Sequence, residues 1–210
     1  QREAALLLGT LDHKQAAVRL VELLESDNAD VMISAAWALR KLSVPETSAP
    51  ILDKATRQTE RRRQENATGL DEQVAHLFEA LGAMKVAEAE PVLRFYVPKE
   101  FYSGDKSRGA AIWALGQLNE GARDEELENE LVERLLDFAD QQPEKSLIKQ
   151  MSIVALVRMK SVEQADLLRG LMDRLQRPVS LAVTLRWGLK ELTGEELPAP
   201  PADSVSPGTW

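Results

Sequence analysis

Apolar residues recur along this chain at intervals of three and four positions, the spacing of one face of an α-helix. The segments 31–42 ("VMISAAWALRKL") and 107–118 ("SRGAAIWALGQL") show this period most clearly. Each is followed by a polar break and a second segment with the same period. The pattern predicts pairs of amphipathic helices joined by short turns.

A six-residue motif, Trp-Ala-Leu-x-x-Leu in its clearest copies, marks the first helix of each pair. Its third residue is leucine in every copy, and its sixth is leucine or methionine. The copies are LLLGTL (6–11), WALRKL (37–42), EALGAM (79–84), WALGQL (113–118), VALVRM (154–159) and WGLKEL (187–192). The third-position leucines are 31, 42, 34, 41 and 33 residues apart, a spacing that suits a repeated helix–turn–helix unit.

The motif therefore predicts an all-α fold of about six helix-pair repeats over residues 1–193, followed by a proline-rich extended tail at 194–210. The short and long steps alternate, which indicates a duplicated block of two pairs. We expect Asp30 to cap one helix, and the strings SVPE (43–46) and SVEQ (161–164) to form capping boxes. Second helices are predicted near 14–25, 47–65, 88–96, 124–140 and 162–176.

Small and large residues in the motif are expected to shape the contact between repeats. Glycines at positions 9, 82 and 116 would allow helices to approach closely, while the tryptophans of the motif, Trp37, Trp113 and Trp187, would form a buried column between them. If Trp37 and Trp113 lie in this interface, replacing either with alanine should cost about 3–5 kcal/mol of stability.

The string "AAIWALGQL" (110–118), and part of it in "LFEALGAM" (77–84), resembles the signature of HEAT-like repeats of the phycobilisome-lyase type. The resemblance covers roughly residues 2–193. It implies a right-handed α-α superhelix, a HEAT-like solenoid whose second helices line a concave surface. Such repeats occur in scaffolds and in several classes of enzyme, so the resemblance implies architecture more than activity.

Composition and charge exclude some functions. The 210 residues carry a formal net charge of −8, which disfavours nucleic-acid binding, because that function needs a basic face. No apolar run is long enough to cross a bilayer, so membrane insertion is not expected. Cysteine is absent, so disulfides and thiolate sites are excluded. The first residue is Gln1, from which we expect a processed or excised piece; the compartment stays open, with the cytoplasm slightly favoured.

Catalytic chemistry finds little support in the sequence. HEAT-like deoxyhypusine hydroxylases bind iron through paired His-Glu dipeptides, but here Lys14 follows His13 and Leu77 follows His76. No phosphate-binding or nucleophile motif is present. We expect no enzyme activity, no cofactor and no metal site. A lyase-like or enzyme-accessory subunit is the alternative that the repeat type leaves open.

Two features are candidate partner contacts. Lys54, Arg57 and Arg61 lie on one stripe of a predicted helix, where they would meet an anion or an acidic partner, or else form a solvated face balanced by Glu60 and Glu65. Tyr102, on a predicted loop at 97–105, has an aromatic ring and a polar tip suited to a partner. The sequence thus predicts a non-catalytic scaffold that binds a protein, or another region of its own parent chain.

Overall fold

The computed structural model describes residues 1–65, 70–99 and 104–198, and within these ranges the chain is all-α, with no strand. The chain divides into two compact units, residues 1–118 and the residues from Asn119 on. The first unit contains α1 (Arg2–Thr10), α2 (Ala17–Leu23), α3 (Ala29–Leu42), α4 (Ser48–Glu65), α5 (Asp71–Ala83), α6 (Glu90–Arg94) and α7 (Asp105–Leu118). The second contains α8 (Glu125–Leu136), α9 (Ser146–Arg158), α10 (Ala165–Gly170) and α11 (Val179–Thr193).

The helices that carry the motif pack on one another, and the second helices fill in beside them. In the first unit, α1, α3, α5 and α7 are stacked in order, while α2, α4 and α6 pack against α3, α5 and α7. In the second unit, α9 packs against α11, and α8 and α10 pack against these two. The predicted pairs within each unit are therefore confirmed, whereas the two helices of the predicted fourth pair, α7 and α8, belong to different units.

The end of the motif turns the chain in the same way in four repeats. The residue directly after motif position 6 has a positive φ in each, so the first helix stops there. These residues are Asp12, Ser43, Lys85 and Lys160. A one-turn 3₁₀ helix follows each of them and leads into the second helix, at Lys14–Ala16, Pro45–Thr47, Ala87–Ala89 and Val162–Gln164.

The predicted helix caps were wrong in detail. Asn28, not Asp30, caps α3, since its side-chain oxygen accepts from the backbone N–H of Asp30 and Val31 at 3.0 and 3.2 Å. Ser43 ends α3, and its hydroxyl donates backwards to the carbonyl of Arg40 at 2.8 Å. The side chain of Ser161 makes no capping bond. Ser and Thr bond equally well to a preceding carbonyl or a following N–H, so spacing alone does not decide between these arrangements.

Motif positions 1 and 2 contact position 4 of the preceding motif. An added Cβ on Gly9 would lie 2.8 Å from the ring of Trp37 and 2.9 Å from Cα of Ala38. An added Cβ on Gly82 would lie 2.7 Å from Cα of Ala114 and 3.1 Å from the ring of Trp113. The glycines therefore allow the near-backbone contact that was predicted, with a half-buried indole lying over each.

Between the second and third motifs position 4 is not glycine, and positions 4 and 1 form an ion pair instead. Arg40 holds position 4 of the second motif, and Glu79 holds position 1 of the third. Arg40 Nη1 and Glu79 Oε2 are 2.6 Å apart, both side chains 30% exposed. In the first unit the residue at position 1 thus matches position 4 of the preceding motif: tryptophan packs over glycine, and glutamate pairs with arginine.

The last motif departs from this rule and corrects the expectation of a uniformly buried tryptophan column. Its preceding position 4 is Val157, and Trp187 is 38% exposed. The small residue has moved to position 2, since an added Cβ on Gly188 would lie 2.9 Å from Ile153 and 3.2 Å from Val157. A β-branched valine occupies the space over which an indole would lie, so Trp187 stays at the surface.

Replacing Gly82 by alanine should destabilise the fold, because the new methyl group overlaps the backbone of Ala114. We expect a loss of about 1–3 kcal/mol, the usual cost of overpacking. Gly170→Ala is the matched control, since nothing lies within 4 Å of a Cβ added there. That change should be neutral or stabilise by up to about 1 kcal/mol, as helical Gly→Ala changes commonly do. Thermal denaturation of both variants checks this; equal melting temperatures would contradict the contact.

The melting temperatures of two tryptophan variants test how much the contact between tryptophan and glycine stabilises the fold. Trp113→Ala should lower the melting temperature more than Trp187→Ala, because Trp113 covers Gly82 while Trp187 is more exposed. Equal losses would show that the contact with glycine contributes little.

Candidate functional site

The predicted basic stripe on α4 is real, but carboxylates of the same chain already bind its cations. Lys54 is buried, and its Nζ lies 2.9 Å from Glu25 Oε2. Arg57 reaches the other oxygen of Glu25 at 2.7 Å and also Asp53 at 2.9 Å. Arg61 pairs with Glu65 at 2.8 Å. Tyr102, the other predicted contact, lies outside the described residues.

Glu25 is the centre of this stripe. It follows α2 and joins the first repeat to α4 of the second through both of its oxygens. The hydrogen bonds from Arg57 and Lys54 lower the pKa of Glu25 below its usual value, against a smaller opposing effect of burial. Sequence spacing placed the three cations on one face correctly, but it did not reveal a carboxylate 29 residues from Lys54.

Sequence reasoning missed two grooves that lie between successive second helices of the first unit. The α2–α4 groove has a volume of about 350 Å³ and mainly apolar walls. Its lining residues are Lys14, Gln15, Ala17, Val18, Val21, Val44, Glu46, Thr47 and Pro50. Val18 is 71% exposed, which is high for a β-branched apolar side chain on a helix of the folded chain.

The α4–α6 groove lies next along the same row of second helices, with a volume of about 200 Å³. Its lining residues are Leu52, Thr56, Thr59, Glu60, Arg63, Glu88, Pro91, Val92 and Phe95. Those from α4 recur at helical spacing and cover about 16 Å of its length at 1.5 Å per residue. This spacing was the available sequence signal, but it does not show which of the helix faces is left uncovered.

An aromatic cluster supports the floor of the α4–α6 groove. The ring of Phe95 packs edge-on against Tyr96, with centroids 5.3 Å apart, and Tyr96 packs likewise against Phe78 at 4.8 Å. Tyr96 is fully buried, and its hydroxyl lies 3.2 Å from that of Thr59. Burial raises the pKa of Tyr96, with the hydrogen bond between its hydroxyl and that of Thr59 opposing this, so the phenol stays neutral. The floor is thus fixed by packing on the interior of the unit.

Charges at the α4–α6 groove are not matched as those of the stripe are. In the part of the chain that the structure describes, Glu60 and Glu88 take part in no ion pair. Arg63 lies over the ring of Phe95, with its Cζ 4.3 Å from the centroid. The groove therefore combines an apolar floor with two carboxylates and one cation held on an aromatic ring.

The described residues hold no cluster of three or more metal-ligating side chains, and none of their helices is long and apolar enough to cross a membrane. The Nδ1–H of His76 donates to Glu79 Oε2 at 3.2 Å, next to the Arg40 contact. What the grooves offer chemically is a set of surfaces for apolar side chains with charged rims.

Replacing Glu25 by glutamine should lower stability at neutral pH, by less than about 1 kcal/mol because the carboxylate is half exposed. A depressed folded pKa stabilises above the unfolded value, 4.5, and that contribution disappears as the pH falls through the lower folded pKa. The difference between wild type and variant should therefore be largest near pH 7 and vanish in acid. Denaturant titrations over this range check it, with Glu60→Gln as the control that removes no ion pair. A difference independent of pH would contradict the pairing.

Comparisons with known proteins agree with this architecture. Residues 1–70 match the family model for HEAT repeats. A search of curated proteins finds no significant match.

Two solved structures share the fold at 17% sequence identity. The complex of CpcE and CpcF of phycocyanin lyase from Nostoc sp. PCC7120 contains a chain with a TM-score of 0.53, over 91% of this chain and 73% of that one. An engineered protein matches with a TM-score of 0.54, over 92% of this chain and 90% of that one. At this identity the likeness concerns the fold. The matches thus place HEAT repeats at residues 1–70 and show that the chain has the fold of helical-repeat proteins, in agreement with the repeated motif and the stacked helices.

Proposed function

We propose that the chain is a non-catalytic scaffold that binds a protein partner, or another region of its own parent chain, through the second helices of residues 1–118. The observation that supports this most is the pair of neighbouring grooves, α2–α4 and α4–α6, on one row of helices. The α2–α4 groove has mainly apolar walls, the α4–α6 groove has an apolar floor, and Val18 in the first is largely exposed.

Exposed apolar surface rimmed by polar groups is typical of protein-binding sites, because burying it against a partner is favourable. The aromatic support beneath Phe95 fixes one groove in advance, so binding there orders few protein side chains. The basic stripe contributes less to this proposal, since Glu25, Asp53 and Glu65 already neutralise it. A partner would have to displace these carboxylates to use it.

The alternative is an enzyme-accessory subunit, which the likeness to a chain of the phycocyanin lyase complex supports at the level of the fold. The two functions share the requirement for a protein partner. They differ in whether the partner shows an activity that depends on this chain.

Site-specific photocrosslinking tests the surface. A photoreactive amino acid at position 18 or 91, which line the two grooves, should give discrete crosslinked products in native lysate. The same group at Lys41, exposed on α3, is the control and should give none of these products. Thr56→Trp fills the α4–α6 groove and should remove the product from position 91. Products that form equally from position 41, or that survive the filled groove, would refute the proposed surface.

If the accessory function is correct, the partner identified by crosslinking should gain or lose a measurable activity on adding the purified chain. Under the scaffold proposal its activity should stay within about twofold, although the complex forms. The partner's own assay, with wild type and Thr56→Trp compared at equal concentration, distinguishes the two.

A further inference from the structure

The charge pattern of the α4–α6 groove differs from that of its surroundings. The other carboxylates of α4 and α6 are all paired: Asp53 with Arg57, Glu65 with Arg61, and Glu90 with Arg94. Glu25, after α2, binds Lys54 and Arg57, whereas Glu46 in the α2–α4 groove has no ion pair among the described residues. In the same described region Glu60 and Glu88 have no cation, and both line the groove.

The cations near Glu60 are engaged elsewhere, which explains why it stays unpaired. Arg57, one turn before it, is bound by Glu25 and Asp53. Arg61 is bound by Glu65, and Arg63 is stacked on Phe95. A surface carboxylate pair facing one apolar groove attracts a cation that a partner brings.

The apolar floor of the α4–α6 groove indicates which side chain of the partner would bind next to that cation. Leu52, Val92 and Phe95 offer apolar contact with a fixed aromatic edge, so an apolar side chain gains most by entering. The α4 wall extends about 16 Å, the length of roughly five residues of extended chain. We propose that the α4–α6 groove binds a short peptide segment in which a large apolar side chain stands next to lysine or arginine. This inference rests on the proposed function and specifies the partner chemistry of the same site.

The apolar side chain would lie on Phe95 and Leu52, while the neighbouring cation would lie between Glu60 and Glu88. The stacked guanidinium of Arg63 disfavours a second cation at its end of the groove and suits a backbone carbonyl or an acidic residue there. The segment is therefore expected to carry its basic residue on one side of the apolar one only.

A randomised display library of short peptides is the probe, with the full wild-type chain as bait. Enriched peptides should combine Leu, Ile, Met or Phe with an adjacent Lys or Arg. A synthetic copy of an enriched peptide should then bind in fluorescence polarisation, with affinity that falls as salt increases.

Three variants separate the possible outcomes, each checked for native helicity by circular dichroism. Glu60→Lys/Glu88→Lys should weaken the peptide by about tenfold or more, and should enrich acidic instead of basic neighbours when used as bait. Glu133→Lys/Glu191→Lys makes the same change in net charge among the residues from Asn119 on and should bind like wild type. Thr56→Trp should abolish binding by filling the groove.

The results decide the two proposals separately. Enrichment without basic residues, or a charge reversal that changes affinity by less than about twofold, overturns the partner chemistry; if Thr56→Trp still abolishes binding, the groove remains a protein-binding site. Binding that survives Thr56→Trp overturns the groove as the site, and with it this part of the proposed function. No enrichment over the Thr56→Trp bait overturns both.

Discussion

The near-backbone contact between successive first helices determines the rest of the first unit. Gly9 against Ala38, and Gly82 against Ala114, bring helix axes together more closely than branched side chains would permit. On the other side of the unit, α2 and α6 are only seven and five residues long, and a groove lies between each of them and α4. The first helices therefore form the continuous interior, and the spaces between the second helices remain as grooves. The candidate binding surface follows from where the small residues are.

Pairing rather than burial alone sets the order of the repeats. Glu79 keeps a lowered pKa although burial would raise it, because hydrogen bonds from His76 and Arg40 favour its charged form more strongly. An acidic first position fits only a preceding repeat that supplies a cation, whereas tryptophan fits one that supplies glycine. Arg40 facing Trp113, or Gly9 facing Glu79, would each leave a charge unpaired. Such mismatches disfavour repeats that are stacked in the wrong order.

The parts of the structure that the sequence predicts are those set within one helix or one repeated motif. The leucines at position 3 are fully buried from the second motif to the sixth, because helical period and apolar character suffice to orient them. Lys54 and Glu25 are far apart in sequence, so their pairing could not be predicted, and the cations alone indicate a candidate contact for a partner. Trp187 was misjudged for a similar reason, because its exposure depends on Val157 in the preceding helix. Predicting the grooves would have required knowing which face of α4 is left uncovered by the other described helices.

The segment after α11 shows how the contact rule operates where no further motif follows in the described chain. Lys190 holds position 4 of the last motif, the position at which Arg40 binds Glu79. Its Nζ lies 2.6 Å from Glu196 Oε1, the same distance as in the pair between the second and third motifs. Arg169 binds Glu195 at 2.8 Å, and Arg186 donates to the carbonyl of Pro198 at 3.0 Å, so three cations hold residues 195–198. Glu196 thus pairs with position 4 of the last motif in the way that Glu79, at position 1 of the third motif, pairs with Arg40. Because exposed pairs of this kind are individually weak, it is their number and the Gly194 turn that keep the segment on the helix.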